Sequence, residues 1–247
     1  TNSWQQGGGS AASTVPRITV DNGGTLDMGG ISNNYTTANI TLNNGILTNS
    51  VANSTGPGTT VNLVIGSLGG TVSSASGTTL TINGVVSGSA ALAIGETGKA
   101  GTVIFSGASS TYSGNISIGV GTLRLTGALP SAINVTMTGT SVWDLQATQT
   151  VASLTMASGN SITRVSGTSS LTVTGASTLA NSITTSGLQT YSGAVTLAAN
   201  TTLTTTNSNV TFNSTINGTT AATQSLTIAN GTGLIILNSN VGGTVAL

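Results

Sequence analysis

From Val165 to Leu247 the chain carries no Asp, Glu, Lys or Arg, yet apolar and small polar residues alternate throughout. This stretch constrains the fold more than any other feature. Strand edges in soluble monomers are normally guarded by Lys, Pro or inward-pointing charges, because bare edges pair with other strands. A chain that omits those guards fits a long stack of its own strands, or a surface polymer, better than an isolated sheet.

The whole chain of 247 residues has 4 basic and 4 acidic side chains, no His and no Cys. Charged residues make up 3%, against about 25% in ordinary domains. Four scattered cations form no phosphate-tracking stripe, which argues against nucleic acid as a partner. No apolar run approaches the ~20 residues of a membrane helix, so no membrane span is expected. Lack of Cys removes disulfide and thiolate chemistry. The chain opens on Thr1 with neither Met nor a secretory signal, as a processed form or a fragment would.

Thr, Ser, Asn and Gly dominate, and they are weak helix formers, while Thr and Val suit strands. Period-2 apolar pairs recur along the chain, among them Leu26/Met28, Ile40/Leu42, Leu80/Ile82, Ile116/Ile118, Leu123/Leu125, Leu154/Met156, Val195/Leu197 and Leu226/Ile228. Each reads as a short strand with one inward face. Asn44-Gly45, Asn83-Gly84, Asn217-Gly218 and Asn230-Gly231 read as turns.

Repetition selects a solenoid over a sandwich or barrel. "TYSGNISI" at 111–118 returns as "TYSGAVTL" at 190–197. At roughly 20 residues per coil the offset between Tyr112 and Tyr191 is close to four coils. Stacked identical positions lie about 4.8 Å apart, where like charges repel and Thr or Asn ladders form. The expectation is an all-β parallel β-helix of roughly 11–12 coils, about 50–60 Å long. Residues 1–14 form a Gly- and Ser-rich leader, and 15–247 a single continuous β-solenoid.

Residues 98–165 carry "AGTVIFSGASSTYSGNISI", "GTLRLTGALPSA", "INVTMTGTSVWDLQ" and "TQTVASLTMASG" in order, and this segment resembles the autotransporter-associated β-strand repeat. Residues 188–247 resemble a related repeat of giant bacterial surface proteins and haemagglutinin-like adhesins. The resemblance implies a right-handed parallel β-helix outside the bacterial cell with structural, adhesive or secretion-related roles. It brings no catalytic motif to transfer. A membrane-anchoring barrel, which self-secretion would require, is not among these residues.

Parallel β-helices also include polysaccharide-cleaving enzymes, so the carboxylates Asp21, Asp27, Glu96 and Asp144 need weighing. Paired carboxyls about 5–10 Å apart are the requirement for glycoside cleavage. Asp27 falls at the outward position between Leu26 and Met28, which makes it a surface residue. "GGTLDM" at 23–28 resembles a calcium-binding β-roll, but its Asp does not recur coil by coil, and Ca²⁺ takes 6–8 oxygens. No catalytic, cofactor or metal residue is therefore assigned, and the chain is expected not to be an enzyme. Trp143 alternates with Leu145 as core, leaving Asp144, like Arg124, facing solvent. Tyr112 and Tyr191 are expected to cap equivalent corners, and Glu96 and Lys99 to lie in an exposed loop. Ten Asn-x-Ser/Thr sequons arise naturally in a composition this rich in Thr and Ser.

Two ends then remain as candidate contacts. Trp4 stands alone in the polar leader, as an anchor would, and Leu234, Ile236, Val245 and Leu247 lie in an apolar ending without a polar cap. The expected function is a non-enzymatic extracellular structural subunit that assembles with itself end to end into filaments or a surface layer. An adhesin or autotransporter-type passenger stalk, with surface glycans or other cells as partners, is the alternative. A polysaccharide-active β-helix enzyme is third.

Overall fold

Parallel strands stacked coil on coil account for every ladder in the computed structural model, which describes residues 17–29, 37–51, 60–107, 110–130 and 133–247. Among these residues the fold is all-β, without helix. Only the isolated bridge between Glu96 and Lys99 is antiparallel. The leader with Trp4 lies outside the described residues.

Each coil has three faces. Two of them merge into one 13-stranded sheet, because several strands run straight through a corner, as in Gly70–Ile82, Ile116–Leu125, Asn134–Leu145 and Val195–Thr204. The third face holds a four-stranded sheet (Arg17–Asp21, Thr37–Asn43, Thr60–Ile65, Val86–Gly88) and a five-stranded one (Gln149–Val151, Leu171–Val173, Gln189–Tyr191, Val210–Phe212, Ile235–Leu237). Between those two sheets the face continues as irregular backbone. There the Thr111 and Ser113 N–H groups donate to Val86 and Gly88 carbonyls at 3.0 and 2.9 Å.

The recurrence in the sequence is four coils long. Ile116, Val135, Leu154, Ser177 and Val195 occupy successive rungs of one column. The main sheet nevertheless makes about nine turns rather than 11–12. Partners on neighbouring coils are often separated by 25 residues or more, as between Ser225 and Asn200 or Ser74 and Ala100, so fewer coils use up the chain. Nine turns at about 4.8 Å each give a ladder of roughly 43 Å.

Inward columns make the core. Leu80, Val103, Leu123, Trp143, Ile162, Ile183 and Leu203 stack one above another, and all are buried. Burying one such side chain contributes about 1.5–3 kcal/mol. Ile116, Ile118, Leu123 and Leu125 point inward as expected. Leu226 and Ile228 continue the inward columns but are only half-buried, because no later strand of the sheet covers them.

Asn residues serve the corners. Asn22, Asn44, Asn181 and Asn207 take the left-handed conformation at φ 52 to 61°, which short polar side chains tolerate. None of the four Asn-Gly pairs makes a hairpin; Asn217-Gly218 lies inside the parallel strand Ile216–Gly218.

Candidate functional site

Outward positions repeat the same chemistry on all three faces. Thr136, Thr155, Thr178 and Thr196 form one column. Thr150, Thr172, Thr190 and Thr211 form a second on the third face, and Ser161, Ser182, Thr202 and Thr227 a third. Because every face bears such a ladder, the hydroxyl columns follow from coil stacking rather than from one specialised surface.

Asn side chains add bonds between coils. Asn62 Nδ2 donates to Asn39 Oδ1 at 2.9 Å, Asn134 Nδ2 to Asn115 Oδ1 at 3.0 Å, and Asn238 Nδ2 to Asn213 Oδ1 at 2.8 Å. Asn200 and Asn209 accept the Ser225 and Leu234 backbone N–H groups at 3.0 and 2.9 Å. Asn39, Asn115, Asn134, Asn200, Asn209 and Asn213 all belong to sequons, so those matches mark the inter-coil ladder.

Five of the eight charged residues gather on two columns. On the first, Asp27, Thr48 and Ser73 stack in register, with Glu96 beside the next rung. Ser73 Oγ lies 2.9 Å from Thr48 Oγ1 and 2.5 Å from Glu96 Oε2. Lys99 Nζ donates to Glu96 Oε2 at 2.8 Å and to Thr48 Oγ1 at 3.3 Å. The tip of the "GETGKAG" turn, Thr97 and Gly98, is exposed as expected, but the Glu96 and Lys99 side chains are half-buried against the coils below.

Burial alone would raise the Glu96 carboxyl, but the Lys99 and Ser73 hydrogen bonds outweigh it and hold it below the usual carboxylate range. Asp27 behaves alike. It stands at an exposed outward position, and its slight desolvation is overcome by the Ser50 hydroxyl, the Gly29 and Ser50 N–H groups, and the Lys99 charge. Thr48 and Ser73 are buried, so these hydroxyls tie coils together rather than meeting a substrate.

The second charged column joins Arg124 to Asp144. These residues are opposite each other on adjacent rungs, and Arg124 Nε donates to Asp144 Oδ2 at 2.7 Å. Gln146 Nε2 reaches the same oxygen at 3.1 Å, and the Val165 N–H donates to Oδ1 at 3.0 Å. Asp144 does not face solvent as the alternation implies: its side chain is 1% exposed, against 31% for Arg124. Alternation does place it outward, but the Arg124 guanidinium, Gln146 and the backbone at Val165 cover it.

Trp143 is fully buried in its column, and its indole N–H has no partner among the described residues. Tyr112 is buried, with its hydroxyl 2.7 Å from the Ala90 carbonyl and 2.8 Å from that of Asn115. Tyr191 stands within a strand, donates to Gln189 Oε1 at 3.1 Å and stacks on Phe212. Burial pushes both phenol hydroxyls up.

The terminal rung of the third face is apolar. Ile235 and Leu237 lie over Val210 and Phe212 in the inward columns, yet they are 49% and 50% exposed. Ile236 instead shares the outward column of Thr211, so the apolar cross-section belongs to its two neighbours. Leu234 is exposed, and Val245 and Leu247 are half-buried, with Leu247 packed against the core. This exchange of Ile236 for Ile235 and Leu237 could have been found by extending the Val210/Phe212 alternation one coil further.

A shallow groove of about 390 Å³ runs along the corner past Gly45, Gly70, Ala93, Ser117 and Thr136. Its floor is set by stacking: a Cβ on Gly45 would come 2.1 Å from the Val20 carbonyl oxygen, and one on Gly70 would come 2.5 Å from Leu42 Cβ. Among the described residues no cluster of three or more His, Cys, Asp or Glu could hold a metal ion. No helix of the described residues is long and apolar enough to cross a membrane.

Fold and columns together define a parallel β-solenoid. No protein-family model, curated protein or solved structure matches the chain.

Proposed function

We propose that this β-solenoid is a non-enzymatic structural protein of the bacterial exterior that assembles with copies of itself end to end. The observation that carries this reading is the apolar terminal rung. Ile235 and Leu237 point into the core direction but are half exposed, while Val210 and Phe212 beneath them are buried by the coil they support. One further rung in the same register would bury the exposed half of both, contributing about 1 kcal/mol each, roughly half the value for full burial. A following coil supplies such a rung, whether it belongs to a longer chain or to a second copy that continues the ladder, and a head-to-tail contact between copies propagates rather than closes.

Uncharged Thr and Asn columns support the same reading, because they can be extended without bringing like charges together. The resemblance of residues 98–165 and 188–247 to repeats of secreted bacterial surface proteins supports the extracellular setting. An adhesive stalk would use the same fold but display it as single rods.

Light scattering and negative-stain imaging of the purified chain test the proposal. Rods should lengthen with protein concentration, and Ile235→Lys with Leu237→Lys should return them to single-solenoid length. Protein that stays monomeric at high concentration with its terminal coil folded would overturn self-assembly and favour the stalk.

A further inference from the structure

We propose that Arg124 and Asp144 form a register key, the pair that selects how successive coils align during folding. The need for one follows from the ladders. Side chains alternate with period two, so sliding a strand by two residues keeps every apolar residue inward and every hydroxyl outward. Where Ser182 and Thr184 face Thr202 and Thr204, such a slip sets Thr204 against Ser182, which is chemically equivalent.

Corners do not forbid the slip. The ladders already change register there, between Ile118 and Val120, between Leu179 and Asn181, and between Ser74 and Thr79. A bend in this fold therefore absorbs an offset.

The charged pair does distinguish registers. Asp144 is buried, and its carboxylate collects donors from three places: the Arg124 guanidinium on the preceding coil, Gln146 on its own, and the Val165 N–H on the next. A two-residue slip sets Arg124 opposite Val142 or Gln146, so its guanidinium reaches Asp144 only diagonally and the in-register Nε–Oδ2 contact is lost. A buried carboxylate without its partner is strongly disfavoured, and the best-attested use of such buried polar pairs is to fix register. The remaining cations make other contacts in the native register: Lys99 is held by Glu96, Arg17 is several coils away, and Arg164 Nη1 donates to the Gly167 carbonyl at 2.9 Å. From Val165 onward no charge recurs, so those coils take their alignment from the keyed coil beneath them.

The absence of native Cys allows a direct test, since paired cysteines report register by which disulfide they form. Thr122 and Val142 are opposite in the native ladder. Thr122→Cys with Val142→Cys therefore reads the native alignment. Thr122→Cys with Thr140→Cys reads a two-residue slip, because diagonal neighbours lie about 7–8 Å apart, beyond ordinary disulfide reach. Each pair is refolded under reducing conditions and then oxidised.

In the parent chain the native crosslink should dominate. Replacing the key with Arg124→Met and Asp144→Leu should raise the slipped crosslink about tenfold or more, and Arg124→Lys, which keeps the cation and leaves Asp144 its other donors, should hold the ratio near the parent value. A merely structural pair would change stability but leave that ratio unmoved. Equal ratios in the parent, neutral and Arg124→Lys chains would overturn the proposal. If the neutral chain does not fold, Asp144→Asn alone carries the comparison, with the same two outcomes.

Discussion

Phe212 stacks on Tyr191 with ring centroids 5.1 Å apart and planes 15° from parallel. The two occupy one inward column on consecutive rungs, so the ring spacing is close to the ladder spacing itself. Rings held this way tie the interior of one coil to the next. Phe212→Ala should cost about 3–5 kcal/mol, seen as a lower urea midpoint together with loss of the near-ultraviolet tyrosine signal.

Acid should loosen the coils around Thr48 and Ser73. The folded Asp27 and Glu96 carboxyls sit below their ordinary values of 3.8 and 4.5. The unfolded chain therefore takes up these protons first as the pH falls. Stability from both groups is fully present above about pH 5 and is lost as the pH drops through the folded values. Urea titrations at pH 6 and pH 3 should show the decline, and Asp27→Asn with Glu96→Gln should flatten it.

Gly45→Ala should destabilise by about 1–3 kcal/mol or more, because the added carbon would meet the Val20 carbonyl oxygen at 2.1 Å. Gly23→Ala is the contrast. It meets no atom within 4 Å and is disfavoured only by its backbone angle of +78°. Thermal melts of the two variants should place Gly45→Ala well below Gly23→Ala.

Pectin, alginate, chitin and peptidoglycan should all survive incubation with the protein, with no new reducing ends and no unsaturated products. Turnover abolished by Asp21→Asn or Asp27→Asn would contradict the non-enzymatic reading.

Period-two alternation made the inward columns readable in advance. Leu123, Trp143 and Leu154 point inward because one apolar residue in two is all a strand face requires. The four-coil step from Tyr112 to Tyr191 was likewise readable, since stacking preserves local sequence at equivalent places. Coil number was not, because corner lengths are invisible in the pattern and vary from coil to coil. Burial of Asp144 was hidden for a related reason: alternation states which face a residue is on, not whether Gln146 and a following loop fold over it. At the terminal rung the choice between Ile235 and Ile236 turned on a single residue of register.

Trp143 offers a use beyond packing. Its indole is fully buried in an apolar column one residue from Asp144, near the middle of the stack. In a Trp4→Phe background it is the sole indole, so its emission colour reads whether water has reached that level of the solenoid. A shift toward longer wavelength would report the opening of the coil that holds Arg124 and Asp144, while fraying of the distal rungs would leave the colour unchanged. The molecule thereby carries its own optical gauge at a known height.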